Sequence, residues 1–180
     1  AGIGAAVAIN QAILVNEAYL GTGDHLVNGL TIEARTLETG AGKARDEENK
    51  HSAEAVSGAG SSKIGVAGSL AINLGDSRMA ARIGEDAAVT VMDGDVSLTA
   101  ADRSRNVAKA LPTKSEVSGE KAGVGASVAV NVALGETLAE LADRVDVTAS
   151  SMSLSATGDH GMETVAQAGV AGGVAVTPAA

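Results

Sequence analysis

The chain has 180 residues and a formal net charge of −9, with 13 Lys and Arg against 22 Asp and Glu. That balance speaks against nucleic acid, whose binding needs clustered cations, and against an anionic lipid surface. Cys, Trp and Phe are absent and Tyr19 is the single Tyr. Disulfides, thiolate metal sites and a cysteine nucleophile are thereby excluded, and any core must be made of Ala, Val, Leu and Ile.

The first element, residues 2–10, reads Gly-Ile-Gly-Ala-Ala-Val-Ala-Ile-Asn. Large Ile3, Val7 and Ile9 alternate with small Gly4, Ala6 and Ala8. Period two is the strand signature, and here it sorts large from small rather than apolar from polar. The expectation is a strand covered on both sides, with the branched face in a core and the small face packed closely against a further layer. A shorter candidate strand lies at 17–20, followed by Thr-Gly-Asp-His at 22–25. A second alternating element, Leu-Thr-Ile-Glu-Ala at 30–34, suits a strand with one wet face. The mixed-sign run 43–51 then reads as a solvated loop and as a candidate protein-binding loop.

The same order returns twice. Residues 65–73 repeat the first element, with Ser69 on the small face and Leu70 and Ile72 on the branched one. Short candidates follow at 80–83 and 88–91, then Val-Ser-Leu-Thr-Ala at 96–100. Asp102-Arg-Ser-Arg105 and Pro112 form a second insertion. The third copy, 123–131, places Val128 and Val130 opposite Ala129. Candidates at 138–141 and 145–148 and the element 152–156 come after it, and Thr-Gly-Asp-His recurs at 157–160. Residues 169–177 read as a fourth opening. The repeats therefore divide the chain at 1–60, 61–119, 120–167 and 168–180. The span from opening Gly to closing Ala is nearly constant (2–34, 65–100, 123–156), whereas the following stretch shortens (34–65, 100–123, 156–169). Insertions confined to one place per repeat map to loops on one face of an array.

The fold class expected is all-β, a parallel β-helix or solenoid of degenerate repeats with variable insertions on one side. Because the chain opens on one copy and stops just after another, it is expected to be part of a longer array. In a stack of turns, Asn10, Asn73 and Asn131 lie above one another. They are then either a ladder of amides or residues that end each strand by favouring a turn. With Val7, Ile9, Leu70, Ile72, Val128 and Val130, they are the residues expected to carry the structure.

Candidate chemistry is sparse. The Asp–His pairs at 24–25 and 159–160 could orient an imidazole for catalysis or a metal, but they sit at different phases of the repeat, and Gly-Asp is ordinary turn chemistry. Asp93 and Asp95, with Glu85 and Asp86 nearby, could offer oxygens to Ca²⁺; no other cofactor is expected. The Gly-x-Gly at 123–125 lacks the context of a phosphate loop. Acidic residues fall mostly in turns and insertions, so the strand faces carry little charge, which argues against an enzyme. The apolar stretches 124–134 and 168–176 are far short of a helical membrane span.

The segments Gly-Val-Gly-Ala-Ser-Val-Ala-Val-Asn, Thr-Leu-Ala-Glu-Leu-Ala-Asp, Val-Thr-Ala and Met-Ser-Leu-Ser-Ala-Thr-Gly-Asp-His, at 123–160, and the closing Ala-Gly-Val-Ala-Gly-Gly-Val-Ala-Val-Thr-Pro, at 168–178, carry a resemblance. They resemble the β-strand-repeat segments of giant bacterial surface proteins, the filamentous-haemagglutinin-like adhesins and autotransporter passengers. The resemblance implies a right-handed parallel β-helix, secreted or held at the bacterial cell surface, acting as a stalk that presents loops for adhesion. Its partners would be neighbouring repeats or protomers and a host or cell-surface protein or glycan. Two other readings remain, a self-assembling extracellular filament subunit and a β-helical carbohydrate-binding or carbohydrate-active protein.

Overall fold

The structure, a computed structural model, describes residues 2–36, 48–58, 64–112, 117–119, 122–172, 175–176 and 179–180. These residues form strands and turns, with no helix among them. The strands are β1 (Gly2–Leu20), β2 (Gly23–Val27), β3 (Leu30–Arg35), β4 (Asn49–Ser57), β5 (Ile64–Ile83), β6 (Ala87–Val91), β7 (Asp95–Pro112), β8 (Val117–Gly119), β9 (Ala122–Leu141), β10 (Asp146–Thr148), β11 (Ser151–Ala166), β12 (Val170–Gly172) and β13 (Ala175–Val176).

All pairing between them is parallel. A first sheet runs β1-β5-β9-β13, a second β10-β6-β2, a third β11-β7-β3 with β4 also on β7, and a two-stranded sheet joins β12 to β8. Each strand thus lies beside its counterpart from the neighbouring repeat. Gly2 faces Gly65 and Gly65 faces Gly123; Asn10, Asn73 and Asn131 share one row. The all-β, parallel architecture is as expected from the alternation. The elements are longer. Residues 17–20, 80–83 and 138–141, read as separate strands, are the ends of β1, β5 and β9. The inward positions between, such as Ala12, Leu14 and Asn16, keep the period of two, so nothing breaks the ladder.

The two long sheets face each other, and the inward side of the first sheet is its small side. Val7 and Ile9 are 65% and 66% exposed and Val130 is 41% exposed, while Ala71 is completely buried. This reverses the expected placement of the branched face, which points outward; Leu70, Ile72 and Val128 are on the same outward side. The reason is room. Ala71 and Ala129 pack with Ala53, Ala55, Ala108 and Ala110 of the facing sheet, and Ala6 and Ala8 lie against them. Side chains of one carbon let two sheets approach closely, and a branched residue there would force them apart.

The interior widens at the other end of the long strands. There Met79 and Ile83 of β5 meet Val89 of β6 and Val96 and Leu98 of β7, all fully buried. Burial of side chains this size stabilises by roughly 1.5–3 kcal/mol each. The short sheet of β2, β6 and β10 closes this end. The molecule therefore has a thin Ala-lined half and a thicker aliphatic half.

The insertions also differ from expectation. Arg35 pairs with Ala101 and Asn49 with Ser104, so residues 36–48 stand where β7 has Asp102 and Arg103 alone. Asp102, Arg103, Ser104, Arg105 and Pro112 are not a loop but part of β7. Their side chains alternate inward and outward, so polar residues on the inner face can pair with other inner polar groups. Residues 169–177 do not pair as a copy of 123–131. Val170 faces Val117, and Ala175 faces Gly123. Val-Ala-Gly at 170–172 pairs with Val-Ser-Gly at 117–119.

Candidate functional site

A belt of polar side chains crosses the interior between the two apolar clusters, and it holds the Asn row and His160. Its first part is the Asn row. Asn10 Nδ2 donates to Asn73 Oδ1 at 2.8 Å, and Asn73 Nδ2 donates to Asn131 Oδ1 at 2.9 Å. Asn131 Nδ2 donates in turn to the carbonyls of Asn106 and Glu163, at 2.9 and 3.2 Å. Of the two possibilities weighed for these residues, the ladder is the one found, and it lies in mid-strand rather than at a turn. Parallel in-register stacking gives Asn73 an identical amide on either side, so the backbone need not turn to satisfy it. Asn73 has no exposed surface. Asn106 of the facing sheet completes the group, its Oδ1 accepting from Asn73 Nδ2 at 3.3 Å. Gly75 makes space for it: a Cβ there would overlap Asn106 Oδ1.

The second part is a cluster around Asp102. Its side chain is fully buried, and Oδ1 accepts from Thr36 Oγ1 at 3.3 Å. Thr36 Oγ1 also accepts from Asn49 Nδ2 at 3.2 Å. Ser104 Oγ and His160 Nδ1 share a hydrogen bond of 2.7 Å, and the same Nδ1 lies 3.7 Å from Asp102 Oδ2. Gly135 and Gly158 cradle the ring; a Cβ on either would come within 2.9 Å of it. Ser, His and Asp are therefore together, but both partners address one nitrogen. A hydrolytic relay needs the carboxylate on one ring nitrogen and the nucleophile on the other. What this arrangement supports is pairing of inward polar groups, Asp102 with Thr36 and Ser104 with His160.

The two Thr-Gly-Asp-His tetrapeptides take unrelated places. His25, in β2, has Nε2 3.0 Å from the carbonyl oxygen of Gly21. His160 does not work with its neighbour Asp159, which points to the other face and pairs with Arg103 at 3.2 Å. The contact of His160 with Ser104 was within reach of the sequence. Continuing the alignment of Ala100 with Ala156 by four residues sets Ser104 beside His160.

The candidate Ca²⁺ ligands are not gathered. Asp95 Oδ1 accepts from Ser151 Oγ at 2.6 Å, and Asp93 lies exposed in the turn before β7. Glu85 and Asp86 face a guanidinium: Arg144 NH2 donates to Asp86 Oδ2 at 2.8 Å and lies 3.7 Å from Glu85. That hydrogen bond holds the Asp86 carboxyl below its ordinary range. Among the described residues no group of three or more His, Asp or Glu side chains is placed to hold a metal. Of the charged run 43–51, residues 43–47 lie outside the described residues, and 49–51 begin β4.

Outward charges pair from one repeat to the next. Arg78 lies 3.2 Å from Glu136 and 3.7 Å from Glu17. Glu163 accepts from Arg105 at 2.9 Å and sits 2.6 Å from Lys109 Nζ, and these cations pull its pKa down, Lys109 the more strongly. Cross-strand pairs of this kind favour one register over its neighbours. No protein-family profile, curated protein or solved structure matches this chain.

Proposed function

We propose that this chain is a β-solenoid segment whose work is structural. It is a stalk or adhesin repeat of a secreted or cell-surface bacterial fibrous protein, and it holds loops out for adhesion. One observation carries the reading: β1, β5 and β9 pair residue for residue along their whole length, while the extra length of the first repeat is concentrated at 36–48. A repeated frame whose largest difference in length falls at one joint suits a scaffold that presents loops. The resemblance of 123–160 and 168–178 to β-strand-repeat adhesins supports it. The partners in this reading are adjoining repeats and a host or cell-surface protein or glycan.

Removal of residues 37–47 tests it. The deletion leaves Thr36 and Glu48 as a two-residue link, the same length that β7 uses at Asp102 and Arg103. Both chains are then assayed on a panel of extracellular-matrix proteins and glycans and for polysaccharide cleavage. The stalk reading expects binding by the full chain, loss of that binding in the deletion chain, and no sugar product. Release of oligosaccharides would replace it with the carbohydrate-active reading. Binding that survives the deletion would remove the loop from its role, and fibre growth by the purified chain would favour the filament subunit.

A further inference from the structure

We infer that the outward face of the β1-β5-β9 sheet is the contact surface of a symmetric dimer of this chain. From the row of Ile3 to the row of Ile13, the outward positions of the three strands are Gly, Ala, Val, Leu or Ile, apart from Gln11 and Asp76. Ile3 is 82% exposed and Leu134 is 62% exposed. About eleven residues of strand at ~3.3 Å and three strands ~4.8 Å apart give a field of roughly 36 by 14 Å. That is about 500 Å² in projection, near the upper end of what single-chain proteins leave open.

Two such fields laid together cover about 1,000 Å², the lower threshold for a biological interface. The distribution of charge fits a second copy. Beyond Asp76 the same face carries Glu17, Arg78, Arg82 and Glu136, paired among themselves. An antiparallel overlay about a two-fold axis superposes the apolar parts and leaves both charged ends outside as a rim. A chain of net charge −9 can meet its like through a surface that carries almost none of that charge. Gln11, Ile13, Leu74, Asp76, Val132 and Leu134 also surround a hollow of about 240 Å³, which aliphatic side chains of a facing pleated sheet can fill. A glycan would need aromatic platforms or an array of polar groups, and this field has no aromatic side chain and only Gln11 and Asp76 as polar ones. The contact is lateral, so it goes beyond the stalk reading and does not depend on it.

The field centres between Leu70 and Ile72, which places the two-fold axis there. Sedimentation velocity over a concentration series tests the proposal with the wild-type chain, Ile72→Lys, and Asp93→Lys in a distant turn. The wild type and Asp93→Lys should reach twice the mass of the 17.6 kDa chain and stop there. Ile72→Lys should weaken association at least tenfold with an unchanged melting temperature. Should that variant fail to fold, Ile72→Cys in this cysteine-free chain gives the same information. With a short bismaleimide cross-linker, which can span two sheets roughly 10 Å apart, it should form a linked dimer, and Asp93→Cys should not. A wild-type monomer at every concentration overturns the proposal. So does open-ended growth that Ile72→Lys does not affect, or a monomer that floats with phosphatidylcholine vesicles.

Discussion

Ala71 shows how little room the thin half of the interior has. It stands between Ala8 and Ala129 in its own sheet and in one cluster with Ala108 and Ala110 of the facing sheet. Leu at this position overfills the gap, and Ala71→Leu is expected to lose about 1–3 kcal/mol. Outward Val128→Thr should stay within about 0.5 kcal/mol on the monomer. Urea melts of the two variants measure the difference, and equal losses would mean that the inner face is misassigned. Acid acts at other single residues. Asp86, held by Arg144, and Glu163, held by Lys109 and Arg105, both have folded pKa values below their ordinary 3.8 and 4.5. A carboxylate with a lowered folded pKa contributes stability above its unfolded value and loses it as pH falls through the folded one. The melting temperature should therefore drop as pH goes from about 5 toward 2. Asp86→Asn with Glu163→Gln should flatten that drop; an unaltered slope would assign it to other carboxylates.

At the scale of the element, the strands were legible where size alternates and illegible where charge does. Leu30, Ile32 and Ala34 announce β3, and Val96, Leu98 and Ala100 announce the start of β7. Asp102-Arg-Ser-Arg105 looks like a loop because charge is rare inside a sheet. Yet Arg103 and Arg105 point outward to Asp159 and Glu163, and Asp102 and Ser104 point inward to Thr36 and His160. Partners from neighbouring strands decide the conformation there, and a single sequence does not display them. The same comparison shows that β3 and β4 share one strand column on β7, with residues 36–48 between them in sequence. Deleting 37–47 should therefore join β3 to β4 as β7 is joined internally. Far-UV circular dichroism should keep its strand signal, and the melting temperature should hold or rise, since a shorter link costs less closure entropy. Loss of cooperative unfolding would show that the joint needs its length.

For the whole molecule, repeat spacing made the parallel architecture readable, but alternation alone names two faces without saying which is inside. Over residues 2–9, 65–72 and 123–130 both faces of β1, β5 and β9 are mostly apolar, so the usual contrast of wet and dry is missing. The absence of Phe and Trp was the available clue, because it fits an interior lined by Ala, Ser and Asn. The Asn ladder was readable as a possibility because its three members share one phase. The Asp102–His160 contact needed the register four residues past the last obvious match.

The account depends most on that register, and the lack of native cysteine allows it to be measured directly. Ser69 Oγ and Ser127 Oγ are 2.8 Å apart on the buried inner face of β5 and β9. Neighbouring strands stand about 4.8 Å apart, within the range of Cα separations that a disulfide bridges. Ser69→Cys with Ser127→Cys should form an intrachain disulfide on mild oxidation without loss of the folded signal, and Leu70→Cys with Ser127→Cys should remain reduced. Bridging of the shifted pair, with the aligned pair left as free thiols, would contradict the in-register parallel stack.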